Sequence, residues 1–279
     1  MNNKELRLQS DSIMTYRLII IFLFTISNPL VGISQDISYG LNTYCGETIS
    51  YRLKYGIFNI GYGSISCSKD LDQNIGHIIA EAQSSGWIKI FKNLNYRYEC
   101  YLDLDTGLPR LAIRSLKDGR YDVYNELNFD HNTRNDSSIV FSQMSGQHVV
   151  SKNIFDILTG FYHFRMNFIS DKMIEGEVVL IKTFFTDELW DLRIRYSGNE
   201  TIKTQYGDLK CYKYHPTTVI GRYFNHNEDM SIWFTKDKNP IPVKIMANLK
   251  FGSIILECTE YQKVGIFTYG ISEIAGESK

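Results

Sequence analysis

Between Glu47 and Tyr261 the chain alternates apolar and polar residues over short runs that end at turn residues. The runs ETISYRLKY, GYGSISCS, HIIAEAQS, YRYECYLD, PRLAIRSL and YDVYNELNF come first; EVVLIKTFF, WDLRIRYS, ETIKTQYG, LKCYKYHP, DMSIWFT, PVKIMANL and SIILECTEY come after a gap. Period-two alternation sends successive side chains to opposite faces of a pleated ribbon, so each run predicts a half-buried strand. The breaks include Asp105-Thr106-Gly107, Asp118-Gly119, Ser197-Gly198-Asn199 and Phe251-Gly252-Ser253. Gly, Asn, Asp and Ser either adopt positive φ or hydrogen-bond their own backbone, and at this spacing they predict hairpins of a mostly antiparallel sheet.

One segment changes period. Residues 153–167, NIFDILTGFYHFRMN, predict a helix with Asn153 as N-cap and Asp156 in the first turn. At about 100° per residue, Ile154, Phe155, Ile157, Leu158, Phe161, Tyr162 and Phe164 fall on one half of it, and Asp156, Thr159, Gly160, His163 and Asn167 on the other. The expectation is an amphipathic helix packed on the sheet. Arg165 breaks this pattern, landing about 20° from Ile154, inside the apolar stripe. It has two readings: the side chain snorkels from the last turn, where its charge suits the helix C-terminus, or it reaches under the helix to a carboxylate on the sheet or to an anionic ligand.

Pro240 and Pro242 sit where a strand should begin, in WFTKDKNPIPVKI. Proline has no N–H for a ladder, so in sheets it is confined to the first residue of a strand, an edge or a bulge. Asp237-Lys238-Asn239 then forms a turn and Pro242 opens the next strand. YLDLDTGLPRLAIRSLKDG matches this stretch, with Pro109 on Pro242 and Gly119 on Gly252. A repeated hairpin and a chance likeness of two equal-length hairpins both explain the match.

The chain has 279 residues. Arg17 precedes the nine-residue run LIIIFLFTI, and Asn28-Pro29 and small residues lead from it to Ser34. That order predicts a secretory leader over 1–34, with the mature chain starting near Gln35. The run is too short for a spanning helix, which needs about 20 apolar residues. Both Met1 and Met14 remain open as the start. Domains are expected as the leader, a single β-rich domain over 35–262 and a tail over 263–279. Losing Lys4, Arg7 and Arg17 against Glu5 and Asp11 moves the formal charge from -1 to -2. Such near-neutrality argues against a nucleic-acid-binding footprint.

Cys45, Cys67, Cys100, Cys211 and Cys258 are odd in number and form no C-x-x-C. An exported compartment permits disulfides. Buried free thiols in strands are the first reading, and Cys211 with Cys258 is the pair to consider if one bridge forms. His77, His131, His148, His163, His215 and His226 have no metal-ligand spacing. Ser66-Cys67-Ser68-Lys69 formally matches S-x-x-K, but in a strand the Ser and Lys point to opposite faces, which removes that chemistry. Asp103 with Asp105 and Asp187 with Glu188 read as solvated turn residues. No phosphate-binding glycine loop or nucleophile elbow occurs. The expectation is no catalytic residue, no metal and no cofactor.

Five stretches, GETISYRLKYGIFNIGYGSI, SSGWIKIFKNLNYRYECYLDLDTGLP, IFDILTGFYHFR, FFTDELWDLRIRYSGNETIKTQYG and WFTKDKNPIPVKIMANLKFGSI, together resemble the exported bacterial family described as domain of unknown function 3108, in its Bacteroidota form. The resemblance covers about Cys45 to Tyr261. The hairpins are more distantly similar to the periplasmic lipoprotein-carrier group, whose members curve an antiparallel sheet around a hydrophobic cavity closed by helices; this is fold analogy.

The expected fold is mainly β: an antiparallel, strongly curved sheet or incomplete barrel, with one packed amphipathic helix between two β halves. The leading functional expectation is an exported periplasmic or cell-envelope protein, not an enzyme, that binds a hydrophobic or lipid-like ligand in the concavity. Trp87, Phe91, Phe155, Leu158, Phe161, Tyr162, Arg165 and Trp190 are the residues expected to line it or dock the helix. The alternatives are a module that pairs its strand edges with an envelope protein, and a hydrolase with an unrecognised site. Partners are therefore a lipid or small apolar molecule, or an envelope protein, with no nucleic acid and membrane association at most peripheral.

Overall fold

A computed structural model describes residues 44–263, apart from 71, 87, 88, 90–92, 120, 218–224, 227 and 251. The expected leader, most of the expected tail, and Trp87 and Phe91 lie outside the described residues. A first meander contains β1 (Glu47–Tyr55), β2 (Phe58–Asp70), β3 (Ile75–Ser84), β4 (Leu94–Asp103), β5 (Pro109–Asp118), β6 (Tyr121–Asp130), β7 (Ser137–Ser142) and β8 (Gly146–Ser151). Helix α1 (Ile157–Asn167) comes next. The second meander contains β9 (Val178–Phe185), β10 (Glu188–Thr204), β11 (Gly207–Pro216), β12 (Met230–Thr235), β13 (Pro242–Leu249) and β14 (Gly252–Lys263).

All strands join one 14-stranded antiparallel sheet in the order β8-β7-β6-β5-β4-β3-β2-β1-β14-β13-β12-β11-β10-β9. Pairing of β1 with β14 unites the meanders. The two end strands, β8 and β9, come together because the chain leaving β8 runs beside β9: Phe155 N–H donates to Lys182 O at 3.2 Å, and Phe184 N–H to Phe155 O at 2.8 Å. The Asp187 turn completes the seam, accepting from Asn125 Nδ2 at 3.2 Å and from Ser145 Oγ at 2.9 Å. The sheet is thus a nearly closed barrel, and α1 lies in its interior between β9 on one side and β3 and β4 on the other.

Most expected strands are present, with three differences. SSIVFS and GQHVVS form β7 and β8, which the alternation did not mark. WDLRIRYS and ETIKTQYG are one strand, β10: Gly198, at φ 85°, makes a bulge between Tyr196 and Asn199 rather than the expected turn. The third concerns the helix. Asn153, at φ 56°, lies in a turn, and the N-cap is Asp156, whose carboxylate accepts from Leu158 and Thr159 N–H while Thr159 Oγ1 accepts from Asp156 N–H. Asp156, Thr159 and Gly160, expected on a polar face, are buried like the apolar stripe. A helix buried almost all round is an interior element rather than an amphipathic surface one.

The proline hairpins match in detail. Pro109 opens β5 opposite Leu102, just past a register shift in β4, and Pro242 opens β13 opposite Phe234, just past a shift in β12. In both, the missing N–H falls where the ladder is already interrupted.

Two apolar clusters fill the molecule. The larger surrounds α1 and includes Ile78, Tyr98, Leu102, Tyr162, Phe164, Phe184, Phe185, Tyr214 and Phe234. The smaller joins Ile49, Tyr51, Ile202, Leu209, Trp233, Val243 and Tyr261. Strand β12 separates them: Ile232 and Phe234 enter the first cluster and Trp233 the second. Every residue of β12 is buried, so its sequence, MSIWFT, is nearly continuous in apolar character.

Candidate functional site

Arg165 and Glu47 form the centre of the buried polar structure. Glu47 is the first residue of β1 and pairs with Cys67 of β2 and Lys263 of β14. Gly46, at φ 96°, turns the chain into that position, and its N–H donates to Cys67 O at 2.5 Å. Arg165 enters from the last turn of α1. Both side chains are fully buried, and the contact is bidentate: Nη1 donates to Glu47 Oε1, and Nη2 to Oε2 at 3.1 Å. The planar fork of guanidinium on carboxylate is the strong form of this interaction.

The surrounding groups complete the pair. Arg165 Nε donates to Pro240 O, and Nη2 lies 3.4 Å from Asn239 Oδ1. Tyr162 O–H donates to Glu47 Oε1 at 2.9 Å, and Tyr261 O–H to Oε2 at 3.3 Å. Asn239 Nδ2 donates to Tyr261 Oη at 2.7 Å. The guanidinium stands over the Tyr44 ring, 4.2 Å from its centroid, a cation–π contact that shields it on that side. Burial alone would push the guanidinium pKa down, but Glu47 reverses this and holds it above its ordinary value. Burial, and then the Glu47 charge, raises the Tyr162 phenol and lifts that of Tyr261 to about 12.

The other end of α1 is also held by polar groups. Asp156 is fully buried, and the Cys100 thiol of β4 hydrogen-bonds its carboxylate. Burial raises the Asp156 pKa, opposed by Thr159, the two helix N–H groups and that thiol. The two anchors share one row of the sheet, since Glu47 pairs with Cys67, Cys67 with Ile78, and Ile78 with Cys100. Nine helical steps from Asp156 to Arg165 cover about 14 Å, and three strand spacings from β4 to β1 cover about 14 Å. The helix therefore crosses the strands, and its length matches the row that holds it.

Of the residues expected to line the interior or dock the helix, six are described. Phe155, Leu158 and Tyr162 are buried in the larger cluster, and Phe161 and Trp190 pack against it. Phe155 stacks on His163 with centroids 4.6 Å apart. Trp190 belongs to β10, and its carbonyl accepts from Thr183 Oγ1 at 3.1 Å. Arg165 meets the sheet carboxylate, so it neither snorkels nor offers its donors to a ligand head group in this arrangement. Glu47, Tyr44, Asn239 and Tyr261 went unmarked in the sequence. Nothing local distinguishes them; the sole signal was that an arginine in an apolar stripe needs an acid somewhere.

All five cysteines are buried and free, including Cys211 and Cys258, both in the smaller cluster. Burial pushes the Cys211 and Cys258 thiols up to about 12. Cys67, hydrogen-bonded to Cys45 and buried beside Glu47, is also raised. Raised thiols carry little thiolate at neutral pH and are weak nucleophiles. The histidines have ordinary partners, such as Glu99 Oε2 at 2.9 Å from His77 Nε2 and Pro109 O at 3.0 Å from His131 Nε2. Among the described residues no group of three or more His, Cys, Asp or Glu is placed to hold a metal ion.

Among the described residues these features define a class: an antiparallel, nearly closed β-barrel-like protein with an internal helix. Within it, the chain belongs to the DUF3108 family, "Protein of unknown function (DUF3108)", whose pattern matches residues 50–259. The solved structures include a similar fold titled a beta-barrel-like protein of domain of unknown function DUF1849 from Brucella abortus. It aligns with a TM-score of 0.52 at 8% identity, over 80% of this chain and 99% of that one. At that identity the likeness concerns the fold. No curated protein matches the chain.

Proposed function

We propose that the protein is an exported, non-enzymatic envelope protein that takes a hydrophobic or lipid-like molecule into its barrel, with α1 as the element that yields the space. The observation that carries this reading is the fastening of α1: an interior helix rich in aromatic residues, held at one end by Asp156 and at the other by the Arg165–Glu47 pair. A buried ion pair stabilises no better than well-packed apolar groups of similar volume, so stability alone is a poor reason for it. Its difference from an apolar contact lies in the open state. Once the helix moves, both charges regain water, which lowers the penalty of opening, and the interior left behind is apolar and of ligand-binding character. The raised thiols of Cys67, Cys211 and Cys258 favour a structural over a nucleophilic role for them.

The test is native mass spectrometry of the protein purified from its own envelope, with lipid extraction of the same sample and of Glu47→Gln. A bound apolar mass that rises when the pair is weakened is expected. Ligand-free spectra for both proteins, with no uptake of an added fluorescent fatty acid, would overturn the proposal. The same preparation tests export, because N-terminal sequencing should find a start within a few residues of Gln35.

A further inference from the structure

We infer that the β1–β2 hairpin tip is a docking point for the surface of a lipid bilayer carrying anionic phospholipid. Tyr55 pairs directly with Phe58, which leaves Gly56 and Ile57 as a two-residue loop. Ile57 is 88% exposed, Phe58 54%, Tyr62 48% and Tyr55 38%. Gly56, at φ 56°, meets the backbone demand of the loop, and Ile57 has no positive φ. The second position of such a turn accepts Asn, Asp or Ser equally well. An isoleucine at the apex thus serves neither the turn nor the core, and with Phe58 it forms a protruding apolar point.

Its surroundings identify the partner. The neighbouring turns are joined to the tip by backbone bonds, Gly56 N–H to Ser253 O at 3.2 Å and Ser85 N–H to Ile60 O at 3.0 Å. Those connections carry exposed Lys250 and Lys89, and Lys54 lies on the tip itself, paired with Glu257 at 2.6 Å. At the opposite end of the same strands the β2–β3 and β4–β5 turns carry Asp70, Asp72, Asp103 and Asp105 against Lys69 and Arg110, so acid is in excess there. At the tip end Lys54 and Lys117 meet Glu257 and Asp122, and Lys89 and Lys250 add to them. This separation of charge would orient the molecule with its apolar tip toward a negative surface. Tyr55 adjoins the apex and Tyr62 lies further along β2, opposite Arg52, and tyrosine is enriched at membrane–water interfaces, where its ring and hydroxyl meet different surroundings. The inference concerns the outside of the barrel and stands or falls separately from the interior ligand proposed above.

Vesicle flotation tests it. The chain from Gln35 onward contains every described residue and omits the apolar run of residues 18–26, which would bind vesicles itself. It should float with phosphatidylcholine vesicles containing phosphatidylglycerol and much less with phosphatidylcholine alone. Ile57→Asn combined with Phe58→Asn should lower partitioning by about tenfold or more, since burying either side chain is worth at least that factor. Lys250→Glu, or high salt, should lower it several-fold. The variants change exposed positions, so their melting midpoints should match the parent. Failure to float with the anionic vesicles, equal flotation of the double variant, or indifference to both salt and Lys250→Glu would overturn the inference. Concentration-dependent dimerisation abolished by the double variant, without vesicle binding, would also overturn it and make the tip a protein contact.

Discussion

Arg165 sits in an apolar stripe, and the partners gathered around it explain why it is tolerated there. Removing the guanidinium leaves Glu47 charged and buried with two phenols as its remaining partners. Arg165→Met keeps most of the stem, so its cost isolates the charge: about 3 to 5 kcal/mol in chemical denaturation. Adding Glu47→Gln should recover part of that loss, because the amide keeps an acceptor for the phenols without a buried charge. A loss near or below about 1 kcal/mol would mean the pair contributes little more than a surface charge at a helix end. Asp156 gives a second prediction at this scale. Burial raises its pKa, so its contribution to stability is fully present below the unfolded value of about 3.9 and is lost as pH rises through the raised folded value. Asparagine also caps helices well. Asp156→Asn should therefore gain stability relative to the parent as pH is raised from about 4 toward neutrality, measured as the difference between two thermal melting profiles. A constant difference would show that the carboxyl is not raised.

At the scale of the element, α1 depends on close approach as well as on its anchors. A Cβ built on Gly160 would meet Thr183 Cγ2 at 3.0 Å, Ile181 Cγ2 at 3.6 Å and Phe155 Cβ at 3.7 Å. Helix propensity favours alanine over glycine by about 1 kcal/mol, yet overpacking a dense interior typically costs about 1 to 3 kcal/mol. Gly160→Ala should therefore destabilise, and a gain in melting midpoint would mean that α1 packs less tightly on β9. The strands give a paired prediction. Pro242→Ala restores an N–H where the ladder is already shifted and should cost little, whereas Ile245→Pro places a ring between Ile232 and Leu256, in the interior of two ladders, and should be severe. Equal melting losses would contradict this placement. These elements also mark how far the sequence could be read. Strands that alternate over eight or more residues, such as β1 and β4, were plain. The six-residue β7 and β8 were not: β7 alternates in burial, but its buried positions are Ser138, Val140 and Ser142 while Ile139 and Phe141 face the other way, and β8 is mostly Gly, Gln, His and Ser, so polarity does not follow the pleat. Helix α1 was legible as a helix but not as an interior one, since its polar positions are satisfied by one another and by the sheet: Asp156 by Thr159, Arg165 by Glu47. Arg165 announced the site, but Glu47 lies 118 positions away, and period and propensity say nothing at that separation.

At the scale of the whole molecule, closure of the sheet around α1 also leaves three histidines half-buried, and this makes the barrel sensitive to acid. His131 Nε2–H donates to Pro109 O and its Nδ1 pairs with Ser138 Oγ, tying β5 to β7. His163 stacks on Phe155 inside the barrel, and His215 bridges to Met230 O of β12. In all three, burial is the leading cause of a pKa below the ordinary value; in His131 and His215 the backbone carbonyl opposes it. A depressed histidine contributes stability that is present above the unfolded pKa of about 6.5 and is lost as pH falls through the lower folded value. Glu99 and Glu228 are also lowered, each first by its arginine partner, with burial opposing, but their contribution is lost only in the carboxylate range, near pH ~4 and below. Asp156 acts in the opposite direction. Between about pH 7 and pH 5 the two effects oppose each other, so the histidines are read in an Asp156→Asn background, where the opposing carboxyl is gone and the melting midpoint should fall across that interval. His163 is the most direct test, because burial is the cause that lowers it. His163→Gln is expected to lose some stability at pH 7 but to show a shallower fall toward pH 5 than the parent. If the Asp156→Asn profile is flat there, or His163→Gln keeps the parent's full slope, the histidines are not held neutral by burial, and the barrel is wetter around α1 than its packing indicates.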